Sequence, residues 1–299
     1  MVRIQDGDLV VSIDPSAGNN AHSMTVAGHE VVWAHAQPGH TQGIPLLAPW
    51  ANRIDGEAYF ANGRKYILNS GLENLHYDGN RLPIHGLVTY ADAWKLIRQD
   101  VNSVTSRLDF WRVPQWMAQF PFAHSVEITH RLRDGSLEVE TAVENHSTEP
   151  MPLCIGYHPY FQLTDSPRDE WRIHIAATEQ VVLSERLIPT GERRPNTLAD
   201  PLPLAAIELD SVFTRLTGVP FRVQGKSQQI EVRFGPKYPV AIVYAPKGKE
   251  FVCFEPMTAW TNAFNLDHAG IASELQRVSP GATWKESFSV TPIGFSASR

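Results

Sequence analysis

The sequence has little of what marks secreted, membrane or nucleic-acid-binding proteins. Only two of its 299 residues are cysteine, so no disulfide framework is expected and a cytoplasmic location is the default. No apolar run is long enough to cross a membrane. The formal net charge of −6 is spread thinly and includes no basic cluster, which argues against nucleic acid and membrane surfaces as partners. A small uncharged molecule is the simplest partner that remains.

Several catalytic motifs are missing as well. No Gly-x-Ser-x-Gly turn raises a nucleophilic serine above a sheet, and no Gly-x-Gly-x-x-Gly turn is available for a dinucleotide. Segment 218–227 ends like a phosphate loop, but six residues separate Gly218 from Gly225 where that loop has four. The twelve histidines include no close pair on one predicted strand, and no paired CxxC or HxxxH spacing occurs, so no metal is expected.

What the sequence does contain is a succession of strand patterns. In residues 125–145, apolar and polar residues alternate on both sides of an Asp-Gly pair at 134–135, which predicts a β-hairpin. An Asn-Gly pair at 62–63 predicts a second hairpin within residues 57–68. Further strands are predicted at residues 9–13, 171–177, 230–234, 240–245, 250–255 and 284–293.

Long helical periodicities are nearly absent, while 22 prolines and 20 glycines punctuate the chain. These features predict a mostly β fold, a large antiparallel β-sandwich in which many strands close or layer. No linker, charge block or repeat divides the sequence, so a single domain is expected over residues 1–299. The proline-rich segment 186–204 is the best candidate for a long surface loop.

Four polar segments lie in apolar or turn-rich surroundings. Glu255 is the most informative residue, because it follows an apolar run and precedes a proline, which places a carboxylate at a strand end. A partly buried carboxylate has a raised pKa unless it is compensated, whereas a salt-bridged rim glutamate is the plainer alternative. One glutamate, two histidines and several hydroxyl-binding groups suit proton transfer on a polyol. The segments are PWANRIDG (49–56), LPIHGL (82–87), GYHPYF (156–161) and FVCFEPMTAWTNAFN (251–265).

These segments, in this order, resemble the motifs of the aldose 1-epimerase (galactose mutarotase) family. The resemblance lies in the Pro-Trp-x-Asn-Arg-Ile segment, Ile-His-Gly, the central histidine motif and the late glutamate motif, and it extends from about residue 43 to the C-terminal strand. It implies a β-sandwich of the galactose-mutarotase type with a sugar-binding groove on one sheet. It also implies a sugar as the partner and no metal or organic cofactor.

The resemblance further implies two catalytic residues. Glu255 would take the proton of the anomeric hydroxyl while protonated His158 gives one to the ring oxygen, which opens the hemiacetal to the free aldehyde. Rotation about the C1–C2 bond and reversal of both transfers would close the other anomer. A nearby Glu255 carboxylate would favour the imidazolium form of His158, which is the form that donates.

Five more residues are candidates for binding the sugar by the same resemblance. His85 would bind sugar hydroxyls and steady the ring oxygen, with a plain turn histidine as the alternative. Arg53 matches the family's substrate-side arginine, and Asp210 matches its hydroxyl-binding aspartate. Asn52 either serves beside Arg53 or only caps the loop. Trp260 either offers an aromatic face to the sugar or packs within a loop.

Two departures from the family pattern bear on specificity. Thr89 and Tyr90 follow HGLV where relatives commonly carry an arginine, which counts against the hexose-6-phosphate 1-epimerase branch. Trp260 and Thr261 stand where many relatives carry prolines. Two other classes stay open: a carbohydrate-binding protein without activity, and a glycosidase or lyase. The paired acid and base disfavour the first, and the single clear carboxylate disfavours the second. The sequence leaves the sugar and the oligomeric state open.

Overall fold

The computed structural model describes residues 1–34, 41–205 and 207–296. The first four strands form an antiparallel sheet in sequential order, β1 (Val2–Asp6), β2 (Leu9–Asp14), β3 (Asn20–Val26) and β4 (His29–Glu30). Next in the chain come β5 (Leu46–Leu47) and two small hairpins, β6 (Ala58–Ala61) with β7 (Arg64–Ile67) and β8 (His76–Tyr77) with β9 (Pro83–Ile84).

The remaining elements build two large sheets. In chain order they are β10 (Lys95–Gln99), β11 (Ser103–Asp109), α1 (Pro114–Gln119), β12 (His124–Arg133), β13 (Ser136–Asn145), β14 (Met151–Leu153), β15 (Gly156–Tyr157), β16 (Tyr160–Phe161), β17 (Arg172–His174) and β18 (Ala177–Leu183). They continue with β19 (Pro189–Pro195), β20 (Leu202–Pro203), β21 (Leu209–Leu216), β22 (Phe221–Gln224), β23 (Gln229–Phe234), β24 (Val240–Ala245), β25 (Val252–Met257), α2 (Ala263–His268), β26 (Gln276–Val278) and β27 (Thr283–Ile293). Three 3₁₀ turns are at Ser70–Leu72, Phe110–Arg112 and Arg168–Glu170.

Neighbouring strands in the two large sheets are paired antiparallel. The nine-stranded sheet has the order β10-β11-β12-β13-β27-β23-β22-β17-β20. The eight-stranded sheet has the order β19-β18-β21-β24-β25-β15-β5, and β16 also pairs with β25. Strands β14 and β26 form a separate pair.

The two large sheets face each other across one hydrophobic core. Phe221 of the nine-stranded sheet lies 5.8 Å, ring to ring, from Phe254 of the eight-stranded sheet. Phe288 and Tyr157 make the same kind of contact at 4.9 Å. The fold is therefore a mostly antiparallel β-sandwich, as the sequence predicts.

Alternation along β25 decides where the polar groups go. Because Phe254 points into the sandwich, its neighbours Cys253 and Glu255 point to the opposite face of the eight-stranded sheet. All three side chains are buried. The outer face near Glu255 is therefore covered by other parts of the chain, and the candidate site lies there.

Both predicted hairpins are confirmed. Asn62 and Gly63 have φ of 49° and 75°, and Asp134 and Gly135 have φ of 51° and 72°, which is the left-handed backbone that such two-residue turns need. Strands β6 with β7 and β12 with β13 pair across these turns.

Two local predictions are wrong. Segment 186–204 is not one long loop, because residues 189–195 form β19 at the edge of the eight-stranded sheet. Prolines are tolerated there, since an edge strand has one side without ladder hydrogen bonds. The predicted strand 171–177 is divided between β17 and β18, which belong to different sheets. The alternation stops at residues 175–177, which are all apolar, and an apolar run of this kind does not by itself indicate a change of sheet.

No helix in the described part of the chain is long and apolar enough to span a membrane.

Candidate active site

His158 lies in a short break between two strands that both pair with β25. The registers of β15 and β16 with β25 agree in setting residue 158 opposite Glu255. Pro159 has no N–H to donate, so the ladder is interrupted at this point. The His158 N–H instead donates to the Pro45 carbonyl at 3.1 Å. Strand pairing thus brings the two predicted catalytic residues together.

The histidine and the glutamate form a close, buried pair. The distance from His158 Nε2 to Glu255 Oε1 is 3.4 Å, and the side chains are 9% and 2% exposed. The Tyr160 ring stacks on the imidazole with centroids 4.5 Å apart, and its hydroxyl lies 3.4 Å from Nε2. Thr41 hydrogen-bonds to the same hydroxyl. These contacts set the orientation of the imidazole.

Burial opposes charge on both members of the pair. Burial raises the pKa of Glu255 well above its usual value, Asp210 raises it further, and Arg53 acts in the opposite direction. Burial, with a contribution from Arg53, lowers the pKa of His158 to about 3. Both directions favour the uncharged forms, a protonated Glu255 and a neutral His158.

This protonation differs from the sequence-based expectation that Glu255 would keep His158 charged. The reason is desolvation. Removing two charges from water costs more than their mutual attraction returns when the geometry is not tightly hydrogen-bonded, and 3.4 Å is a long contact. The pair still combines one proton donor with one proton acceptor.

His85 reaches the pair from an unusual backbone conformation. Its φ is 64°, in the left-handed region, and its N–H donates to the Asn52 carbonyl at 3.0 Å. Gly86 follows with φ of 68°, and a Cβ there would overlap the Ala48 carbonyl. The His-Gly sequence therefore folds tightly against the loop that carries Asn52. The His85 ring meets the His158 ring edge-on, with centroids 5.5 Å apart.

Arg53 is held between two carboxylates. Its Nε donates to Asp78 Oδ2 at 2.7 Å, and its Nη2 lies 3.5 Å from Asp210 Oδ2. Asp78 belongs to the turn between β8 and β9, where its Oδ1 accepts from the N–H groups of Asn80 and Leu82 at 2.9 Å. Asp78 thereby connects the β8–β9 hairpin to Arg53 and orients its guanidinium group.

The pKa values of the two carboxylates are shifted in opposite directions. Burial alone would raise the pKa of Asp78, but hydrogen bonds from the Leu82 N–H and from Arg53 hold it below its usual value. Burial raises the pKa of Asp210, and Arg53 offsets only part of that effect. Asp210 is therefore the carboxylate that gains most from a further hydrogen-bond donor.

Asn52 lies beside Arg53 and lines the same cavity. Its φ is 56°, its side chain is buried, and its Nδ2 has no hydrogen-bond partner among the described residues. Asn262 connects this loop to the segment after β25, because its N–H donates to the Arg53 carbonyl and its Oδ1 accepts from the Asp55 N–H, both at 3.0 Å. Two of the four polar segments are thus joined directly.

A cavity of about 420 Å³ opens over these groups. Six of the seven predicted site residues line it: Asn52, Arg53, His85, His158, Asp210 and Glu255. Four buried polar atoms at this cavity have no hydrogen-bond partner among the described residues: Asn52 Nδ2, His85 Nδ1, His158 Nδ1 and Glu255 Oε2. Buried polar atoms are normally paired, so the cavity suits a ligand that carries many hydroxyl groups.

Trp260, the seventh predicted residue, is not in this lining. Its side chain is 1% exposed and belongs to a separate hydrophobic cluster with Leu47 and Met257, and Arg193 lies 5.9 Å from its ring. The structure therefore shows the packing alternative. An aromatic face buried against apolar side chains cannot also stack on a ligand in the cavity.

Sequence reasoning missed several residues of the cavity wall. Asp78, Tyr160 and Tyr244 line it, although the sequence analysis assigned no role to them. Tyr160 and Tyr244 could have been found from their strands: each lies across the sheet from Cys253, two residues before Glu255. The sequence around Asp78 offered only an Asp-Gly pair, which is common in turns and does not indicate a binding role.

His158, Cys253 and Glu255 could also hold a metal ion, since one donor atom from each lies within 4.8 Å of the others. The sequence did not suggest this group, because Cys253 and Glu255 lie on β25 whereas His158 comes from the distant segment between β15 and β16. Burial raises the pKa of the Cys253 thiol well above its usual value, which disfavours the thiolate that a metal would need.

Comparison with known proteins agrees with this geometry. The sequence profile described as aldose 1-epimerase matches residues 1–291. The chain is 26% identical to the uncharacterized protein YihR of Escherichia coli K12 over 227 residues, which cover 74% of this chain and 71% of that protein.

Two solved structures illustrate the likeness of fold. A galactose mutarotase-like protein from Clostridium acetobutylicum superposes with a TM-score of 0.86 at 20% identity, covering 98% of this chain and 95% of that one. The GalM/aldose epimerase homologue from C. elegans gives 0.78 at 18% identity, with 98% of each chain covered. At these identities the likeness shows the fold alone.

Proposed function

Because the chain belongs to the aldose 1-epimerase family, we propose that it interconverts the α and β anomers of a free aldose by acid–base ring opening. The observation that carries the proposal is the buried pair of His158 and Glu255 at the floor of a polar cavity. Ring opening needs one group that takes a proton and one that gives it, within reach of two neighbouring oxygens.

In the proposed reaction, Glu255 takes the proton of the anomeric hydroxyl while His158 gives a proton to the ring oxygen. The hemiacetal C1–O bond breaks and the aldehyde forms. Rotation about C1–C2 then presents the other face of the carbonyl, and the reversed transfers close the opposite anomer. Protons and bonds balance, so the pair returns to its starting state.

The pair must first move its proton from Glu255 to His158. A sugar supplies the reason for that transfer, because hydroxyl groups that donate to the Glu255 oxygens stabilise the carboxylate. Glu255 Oε2 has no partner among the described residues and is available for such a bond. Binding of substrate then activates the acid as well as the base.

The remaining groups hold the sugar in place. Asp210, Arg53 and Asn52 offer one acceptor and two donors around the pair, and His85 adds a ring nitrogen. Such a mixed set matches hydroxyl groups, which both donate and accept. Positioning of this kind turns proton transfer into an intramolecular step.

A hexose-6-phosphate is the less favoured substrate. Among the described residues that line the cavity, Arg53 is the one Lys or Arg, and Asp78 and Asp210 already contact its guanidinium. A phosphate dianion needs several charge-assisted donors.

We also propose a cytoplasmic location, because both cysteines are free and buried.

Polarimetry of freshly dissolved α-glucose and α-galactose tests the proposal. We expect the protein to accelerate the decay of rotation, and Glu255→Gln to lower kcat by at least ~100-fold while the fold is retained. Glu138→Gln, the same chemical change in the Arg131–Glu138 ion pair on the nine-stranded sheet, is the matched control. Equal rates for wild type and Glu255→Gln would overturn the assignment.

A further inference from the structure

A second cavity adjoins the proposed site. Its volume is about 350 Å³, and it shares Thr41, Tyr77, Ile84 and His85 with the wall of the first. A ligand that fills the first cavity can therefore extend past His85 into the second. The reaction described above does not use this space.

The second cavity is bordered by exposed aromatic rings. Tyr77 and Tyr90 are 40% and 43% exposed, and the His76 ring meets the Tyr90 ring edge-on at 5.3 Å. Aromatic side chains with an apolar face and a polar edge suit a pyranose, which presents C–H groups on its faces and hydroxyls on its rim. Exposed rings at the edge of a sugar site are thus suited to a second sugar.

These rings are carried by fixed elements. His76 and Tyr77 form β8, which pairs with β9. Tyr90 lies in a turn where the Thr89 hydroxyl donates to the His85 carbonyl at 3.0 Å and the Gly18 N–H donates to the Ala91 carbonyl at 2.8 Å. A platform that is already ordered loses little entropy when a ligand binds.

The arrangement of Glu255, His158 and His85 indicates which carbon of the aldose points toward the second cavity. Glu255 addresses the anomeric oxygen and His158 the ring oxygen, and the His85 ring lies next to His158 on the side of the second cavity. Along the sugar, C1 and the ring oxygen are followed by C5, which carries C6. A substituent on C6 would therefore pass His85.

The residues that line the second cavity favour an uncharged substituent on C6. The described lining of the second cavity contains no Lys or Arg, so it offers no fixed cation to a phosphate. We infer that the substrate is a reducing disaccharide linked through C6 of its reducing aldose, with the second sugar against the Tyr90 ring. This inference rests on the proposed function.

Anomer exchange by NMR and binding by calorimetry test this inference together. Isomaltose, linked 1→6, is compared with maltose, linked 1→4, and with glucose. We expect kcat/KM and affinity for isomaltose to exceed those for glucose by about tenfold, the scale of one aromatic stacking contact. Tyr90→Ala should bring the isomaltose-to-glucose ratio to about one, and Tyr90→Phe should keep it. Trp111→Ala, a control ring with the same 43% exposure, should leave the ratio unchanged.

The two measurements separate failure of the subsite from failure of the proposed function. Tighter binding of isomaltose without exchange of any sugar supports the subsite and overturns the activity. Exchange of all three sugars with no preference for isomaltose overturns the subsite and supports the activity. An equal gain for maltose, or a ratio unchanged by Tyr90→Ala, also overturns the inference.

Discussion

Buried histidines occur in both large sheets of the sandwich, and two of them, His130 and His158, have different neighbours. His130 lies on β12 of the nine-stranded sheet, 1% exposed, between the buried residues Ile128 and Leu132 on the same face. His158 lies between β15 and β16 of the eight-stranded sheet, close to Glu255 and Tyr160. Burial lowers the pKa of both, to about 4 and about 3.

The comparison shows that a lowered pKa does not by itself identify a catalytic histidine. Burial is the only cause for His130, whereas His158 also responds to Arg53 across the cavity. The distinguishing features are the second titratable group within reach and the cavity that gives a substrate access.

The sharpest test of this comparison makes the same change at both histidines. We expect His158→Asn to lower kcat for anomer exchange by ~100-fold to ~10,000-fold, because a general acid is lost. We expect His130→Asn to leave kcat within about twofold. Polarimetry on samples with matching circular dichroism makes the measurement, and similar losses in the two variants would break the comparison.

His130 should instead affect stability as a function of pH. An unfolded histidine has a pKa near 6.5, and the pKa of folded His130 is about 4. Between these values the unfolded chain binds more protons, so the free energy of unfolding rises with pH. The contribution of His130 is fully present above about pH 6.5 and is lost as the pH falls to about 4.

For a shift of this size, the loss is about 3 kcal/mol. Urea unfolding at several pH values should therefore give a steeper pH dependence for wild type than for His130→Asn. Parallel curves would mean that His130 has the same pKa in the folded and the unfolded protein.

A phosphosugar tests whether the site offers a free cation to a charged substrate. Arg53 is engaged by Asp78 and Asp210, so we expect kcat/KM for glucose to exceed that for glucose 6-phosphate by at least about tenfold. Exchange between anomers is followed by NMR for both sugars under one condition. A clear preference for the phosphate would show that cations from elsewhere reach the site.

The smallest expected effect concerns metals. His158, Cys253 and Glu255 could form a ligand set, but the proposed proton transfers need only the histidine and the glutamate. We expect prolonged treatment with EDTA to leave kcat unchanged. If EDTA abolishes the activity and one divalent metal restores it, the proposed acid–base mechanism is wrong and the site is a metal centre.

Much of the fold could be predicted because the signals are local. Asn62-Gly63 and Asp134-Gly135 each specify a turn within two residues, and the continuous apolar run of residues 240–245 coincides with β24. Local signals failed where the decision was not local. Residues 171–177 end in three consecutive apolar residues that do not reveal a change of sheet, and residues 189–195 become a strand only because β18 offers an edge.

The candidate site divides in the same way. Motif resemblance identified His158, Glu255 and Arg53, because each sits in a short segment whose neighbours constrain its backbone. The segment around Trp260 gave no basis for choosing between stacking and packing. Packing became evident only in the hydrophobic cluster formed with Leu47.

The sequence by itself determined the strands, the tight turns and the chemical identity of the proposed acid and base, since these depend on a few adjacent residues. Only the tertiary structure decided that β25 would hold Glu255 opposite His158, and that Asp78 would hold Arg53. It also decided that burial disfavours the charged forms of both side chains. The physical reason is desolvation: a pKa depends on which groups exclude water from a side chain, and those groups come together only when the sheets assemble.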